Sequence, residues 1–208
     1  MPYGYIGQNT PNQTVSNSGV FSISDVASLE KQGKFGGSLE LIAESNPSSD
    51  SFVDFTSIQQ NKYDVHLMQF NVTASALVLL KIQFYESGVL ETGLVYDHAN
   101  QFGSSTGVFN DTRRQTGTDY IEINYNANGK SQGYIYFYNL GNSSKYSFTT
   151  TQGFSDDQTS PRYQITFGGG VLKQASEVDG IRIFPQDIAS YTFTGNIKLY
   201  GVKQLWVL

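Results

Sequence analysis

GYIYFYNLGNSSKYSFTTT, Gly133 to Thr151, is the stretch on which the reading of the whole chain turns. Tyr134-Ile135-Tyr136-Phe137-Tyr138 is a run of β-favouring residues, too short for a helix and too aromatic for a loop. Side chains alternate along a strand, so Ile135 and Phe137 point one way and Tyr134, Tyr136 and Tyr138 the other. Asn139 to Ser144 supplies turn residues, and Lys145 to Thr151 returns as a second strand. The hairpin therefore has a core face and a tyrosine face. Two roles are open to the tyrosine row: packing between sheets, or contact with a partner or a sugar.

The rest of the composition agrees with a sheet protein. A chain of 208 residues with only 15% charged side chains and abundant Gly, Ser, Thr and Asn suits a single all-β sandwich and not a helical bundle. A net charge of -5 provides no basic surface, so general nucleic-acid binding is not expected. The chain has no cysteine, which excludes disulfides, thiolate metal sites and a cysteine nucleophile. MPYGYIGQNTPNQTVSNSG has neither the basic start nor the apolar centre of a signal peptide. No apolar run approaches the roughly 20 residues of a membrane helix. A soluble protein folded in a reducing cytoplasm, with no membrane insertion, is expected.

Residues 1–50 read as an N-terminal arm and 51–208 as the sandwich domain. Met1 to Gly19 is polar and turn-rich, an extended segment that orders against a partner. One short helix is expected after it, with Ser22 or Ser24 as N-cap, Val26 and Leu29 on one face and Gly33 as the stop. The apolar residues of the arm, Tyr3, Tyr5, Ile6, Val20, Phe21, Ile23, Val26, Leu29 and Phe35, are its candidate docking residues. Ser45 to Ser51 reads as a linker.

From Phe52 onward short strands follow one another. Tyr63 to Phe70 alternates. Leu77 to Tyr85 gathers Val78, Leu80, Ile82 and Phe84 on one face, with Lys81 and Gln83 making the other polar, as in a half-buried strand. Asp97 to Thr118 reads as a long loop. Asp119 to Asn126 places Ile121, Ile123 and Tyr125 inward and Glu122 and Asn124 outward. Asn128-Gly129 is the strongest hairpin turn signal. Gly168 to Gly170 is expected to break the strand of Tyr163, Ile165 and Phe167. Gly195 to Lys203 closes the domain on Ile197 and Leu199. Two stacked antiparallel sheets of jelly-roll or Greek-key type are the economical arrangement.

Residues with chemical potential are few. His66 alternates with apolar neighbours and reads as structural, while Asp97-His98 offers an acid–base pair at a strand end. Glu86, Glu91, Asp97 and Asp111 are candidate glycosidase carboxylates, although sequence does not show that they converge. Asp156-Asp157 lacks the spaced ligands of a calcium loop. Arg113-Arg114 suits a local ion pair, and Gly168 to Gly170 lacks the helix of a phosphate cradle. Sequons at Asn12, Asn71, Asn110 and Asn142 follow from the composition. Motifs for a serine nucleophile, a zinc protease or a nucleotide loop are missing. No catalytic residue, cofactor or metal is expected. Tyr134, Tyr136 and Tyr138 are the candidate surface or glycan platform.

MPYGYIG, GVFSISDVASLEKQGKFGGSLELI, VDFTSI followed by KYDVHLMQF, and the closing GNIKLYGVK together resemble a family of virion structural proteins of tailed bacteriophages. The resemblance spans nearly the whole chain. It implies a particle component assembled in the host cytoplasm, docked by its arm and commonly homotrimeric, either a capsid decoration protein or a tail or neck fibre-type component. Its partners would be other virion proteins. The alternative is a carbohydrate-binding host-attachment module of a tail fibre. The resemblance carries no catalytic residues.

Overall fold

A computed structural model describes residues 39–124, 130–157 and 162–203, together with Ile23, Ser24, Ala27 and Ser28. Glu40–Val202 forms one compact unit. Its strands are β1 (Leu39–Ser45), β2 (Ser48–Asp50), β3 (Val53–Phe55), β4 (Val65–Ala74), β5 (Leu80–Glu86), β6 (Val89–Leu90) and β7 (Tyr96–Ser104). They continue as β8 (Phe109–Thr118), β9 (Ile121–Asn124), β10 (Lys130–Tyr138), β11 (Ser147–Asp157), β12 (Arg162–Leu172), β13 (Val178–Pro185) and β14 (Phe193–Val202).

These strands form two antiparallel sheets. The larger, nine-stranded among the described residues, runs β1-β14-β4-β10-β11-β12-β7-β8, with β2 also on β14. The smaller has five strands in the order β3-β13-β5-β6, with β9 also on β5. Met68, Phe70, Val72, Ile135, Phe137, Ile197 and Leu199 of the larger sheet pack against Leu80, Ile82, Phe84, Ile181 and Ile183 of the smaller. The Phe84 and Phe137 rings meet edge to face across the interior at 6.1 Å. Burying each such ring contributes about 1.5–3 kcal/mol, so this contact is a principal tie between the layers. The all-β, two-sheet architecture is as the sequence implied.

Several local expectations change. Asp97 to Thr118 is a hairpin of β7 and β8 and not a loop. Gly107 takes the positive φ of 83° in its turn. β12 also passes without interruption through Gly168, Gly169 and Gly170. There the glycines permit close strand approach: a Cβ on Gly168 would lie 2.2 Å from Asn100 Oδ1 and 2.3 Å from the Ala99 carbonyl oxygen. A Cβ on Gly170 would lie 2.6 Å from Ile121 Cγ2.

Among the described residues strand structure begins at Leu39, and Ser45–Ser51, read as a linker, contains β2 paired to β14. Glu122 and Asn124, expected outward, are buried, because β9 lies close to β7, β11 and β12 as well as pairing with β5. The arm residues Tyr3, Tyr5, Ile6, Val20, Phe21, Val26, Leu29 and Phe35, most of the expected helix, and the Asn128-Gly129 turn lie outside the described residues. Ile23 is 91% exposed.

Candidate functional site

Alternation along the strands of the larger sheet gives it an inner and an outer face, and the outer face carries the tyrosines. Ile135 and Phe137 are fully buried, whereas Tyr134 is 39% exposed and Tyr136 and Tyr138 are half-buried. Tyr134 meets Tyr136 edge to face at 5.8 Å, and Tyr136 stacks on Tyr138 at 6.4 Å. The Tyr134 hydroxyl donates to Gln152 Oε1 at 2.7 Å. Tyr138 and Thr150 hydroxyls are 3.3 Å apart.

Strand register then assembles what the sequence keeps far apart. One row crosses the sheet as Asn196, Asn71, Gln132, Phe154 and Ile165. The next row is Lys198, Gln69, Tyr134, Gln152 and Phe167. Between these rows runs an open groove of about 500 Å³. Its floor is the directly opposed pair Gly133 and Gly153. A Cβ on Gly133 would meet Phe70 at 2.6 Å, and one on Gly153 would meet Asn124 at 3.0 Å. The backbone of β10 and β11 therefore settles directly onto those side chains, and the outer surface dips at the pair.

Most of the groove's polar groups are amides left open. Among the described residues, the side chains of Gln69, Asn71 and Gln132 make no hydrogen bond to protein, and Gln152 is engaged only through the oxygen that accepts from Tyr134. Asn196 is held by Glu44 Oε1 at 2.6 Å and Asn46 Oδ1 at 2.8 Å. The Lys198 ammonium lies 3.7 Å from the same Glu44 oxygen, so its charge is matched. Amides offer both donors and acceptors without net charge, and the rings of Tyr134 and Phe154 offer flat apolar faces.

A smaller hollow of about 210 Å³ adjoins the groove, sharing Asn71, Gln132 and Phe154 and adding Lys130, Asp156 and Tyr163. Phe154 and Tyr163 stack at 6.0 Å with planes 17° apart. Asp156 Oδ1 is buried and, among the described residues, has no hydrogen-bond partner.

Beyond the groove the outer face turns apolar. Leu67, Tyr136 and Tyr200 form one row, and Val65, Tyr138, Phe148 and Val171 the next.

The opposite surface, on the smaller sheet, is built differently. Arg182 donates from Nε and Nη2 to the two Asp54 oxygens, each at 2.7 Å, and Tyr85 donates to Asp54 at 2.8 Å. Asp54, by these bonds, raises Arg182 above the ordinary guanidinium range. The guanidinium also lies 4.0 Å over the Phe52 ring. Lys81 and Gln83, expected on a solvent face, are 8% and 7% exposed. Lys81 sits 3.5 Å over the Tyr120 ring, and Gln83 donates to the Asp119 carbonyl at 2.7 Å. Burial pushes the Lys81 ammonium below its usual range, with Asp119 and Glu122 pulling the other way.

The remaining sequence candidates separate. His66 is fully buried with Nε2 2.8 Å from the Ile58 carbonyl, and burial holds it below its ordinary range. Asp97 and His98 point to opposite sides of β7. Asp97 pairs with Lys173 at 2.9 Å, while His98 is buried 3.7 Å from Glu122. Glu86 and Glu91 do converge, but on Gln174, whose Nε2 donates to both at 2.6 and 2.8 Å. That bridge fixes the carboxylates as a structural tie for the segment after β12. Asp111 is exposed on β8 opposite Gln101. Sequence reasoning found the tyrosines and missed the amides. The signal was there in the alternation Met68-Gln69-Phe70-Asn71-Val72 and Asn196-Ile197-Lys198, where amides and one lysine take the outer positions.

Compared with known proteins, the chain matches no protein-family model, and no curated protein or solved structure is significantly similar to it.

Proposed function

We propose that this chain is a non-enzymatic component of a tailed-bacteriophage-type virion whose β-sandwich carries a glycan-binding face for attachment to the host. The observation that carries the binding role is the groove between Asn71, Gln132 and Phe154 on one side and Gln69, Tyr134 and Gln152 on the other. Sugar rings present apolar C–H faces that pack on aromatic rings, and hydroxyls that exchange hydrogen bonds with neutral amides. The particle role rests on the sequence phrases given above. In this reading residues 1–50 include the docking arm, and removal of 1–38, which stops short of β1, abolishes particle association and leaves the sandwich folded. Copies act together, commonly as a trimer, so weak individual sites sum to firm attachment. The finer reading of the sandwich as jelly-roll or Greek-key draws support from the chain's repeated crossing between sheets, at β2 to β3, β3 to β4, β4 to β5, β6 to β7, β8 to β9, β9 to β10, β12 to β13 and β13 to β14.

The test is a glycan array and a host-cell adsorption assay with the full chain, repeated with Tyr134→Ala. Binding to at least one glycan, lost in the variant, is expected. Failure to bind any glycan or host cell overturns the glycan reading. A second reading, an assembly subunit alone, is favoured by the apolar rows of Val65, Leu67, Tyr138, Phe148 and Val171, since Phe148 is 45% exposed. An oligomer in solution that Phe148→Asp dissociates would place subunit contacts on that half of the face.

A further inference from the structure

The hollow at the end of the groove narrows the ligand class. It rests on the glycan reading, and adds to it a specificity that the groove alone does not contain. Asp156 lies on the outer face of β11, directly opposite Tyr163 of β12. Its Oδ1 is buried, and among the described residues it has no hydrogen-bond partner and the carboxylate no ion-pair partner. A buried carboxylate oxygen without a donor is costly, and natural proteins leave few of them. A ligand that brings hydroxyl donors supplies what the fold omits. The stacked rings of Phe154 and Tyr163 wall the same hollow, and the open amides of Asn71 and Gln132 line it.

We propose that this hollow is an end subsite for a pyranose with two adjacent free hydroxyls, both donating to Asp156 while the ring packs on Phe154 or Tyr163. The row from β14 to β12 spans about 19 Å at ordinary strand spacing, so the ligand is a short oligosaccharide laid across the strands and not a single sugar.

The experiment is titration calorimetry of the full chain against oligosaccharides before and after periodate cleavage of their diols. Asp156→Asn, which keeps the shape, and Tyr163→Ala, which removes a wall, are compared with Tyr134→Ala, each checked for unchanged melting. Expected are binding of an intact ligand, its loss after periodate, and a fall of about tenfold in Asp156→Asn, the worth of one hydrogen bond to a charged acceptor. Undiminished binding after periodate, or full affinity in both Asp156→Asn and Tyr163→Ala while Tyr134→Ala abolishes binding, overturns the subsite and leaves the glycan-binding role standing. Absence of binding to every sugar by the parent chain overturns both.

Discussion

The two outer surfaces of the sandwich are made from similar residues and finished in opposite ways. On the smaller sheet the outward polar groups find partners: Arg182 with Asp54 and Tyr85, Gln83 with the Asp119 carbonyl, Lys81 with Tyr120 and the Gln186 carbonyl at 3.3 Å. On the larger sheet, among the described residues, Gln69, Asn71 and Gln132 stand beside exposed rings without protein partners, and Asp156 keeps a buried oxygen unmatched. A polar group already bonded within the fold contributes to stability and to little else. One left open contributes to whatever docks on it. The difference separates scaffold from site more sharply than residue type does, because aromatics and polar groups occur on both.

This contrast predicts that damage to the two faces is read by different instruments. Arg182→Ala should give the largest effect on stability, about 2–3 kcal/mol in urea denaturation, because it leaves Asp54 partly buried and unpaired. That is below the range for fully buried pairs, since the Arg182 and Asp54 side chains are 15% and 23% exposed. Glycan binding should be unchanged. Tyr134→Ala should do the reverse, with at least a tenfold weaker glycan affinity, about 1.4 kcal/mol, and a melting temperature close to that of the parent. If Tyr134→Ala melts the fold while Arg182→Ala abolishes binding, the assignment of the two faces is backwards.

Acid titration sharpens the comparison by sampling the interior instead of either face. His66 has its folded pKa held below the ordinary 6.5 by burial, so its neutral form favours the native state. The stability it contributes is complete above pH 6.5 and declines as pH falls through the lower, folded value. His66→Gln retains a donor for the Ile58 carbonyl and should flatten this acid limb in denaturation curves measured across pH. The smallest effect expected is that of Tyr136→Phe, within about 0.5 kcal/mol in stability, as for surface substitutions away from hydrogen-bonded features. Among the described residues its hydroxyl has no hydrogen-bond partner, and the ring contacts to Tyr134 and Tyr138 persist in the variant.

Much of the fold was legible in residue patterns. Wherever apolar residues alternate with others, as at Leu80, Ile82 and Phe84 or at Ile197 and Leu199, the inward set is the one the pattern names. The pattern fails where polar residues take inward positions. In β7 the buried set is Tyr96, His98, Asn100 and Phe102, whose two polar members hide the alternation and suggest a loop. Lys81 and Gln83 misled for the opposite reason: they do point away from the core, but Tyr120, the Asp119 carbonyl and the Gln186 carbonyl cover them. The candidate site was half legible. The tyrosine row lies on one strand and announces itself, whereas the amides come from β14, β4, β10 and β11 and meet only through strand pairing.

The glycine triplet of β12 has a consequence for how the strands find one another. Sliding β12 along β7 by two residues keeps every side chain on its own face, so hydrophobic patterning does not oppose that error. In one direction it carries Thr166 to the place of Gly168, where even a single added carbon meets Asn100 and the Ala99 carbonyl. In the other it carries Leu172 to the place of Gly170, against Ile121. Both misalignments are excluded by bulk, which makes Gly168 and Gly170 the pins that align β12 with β7.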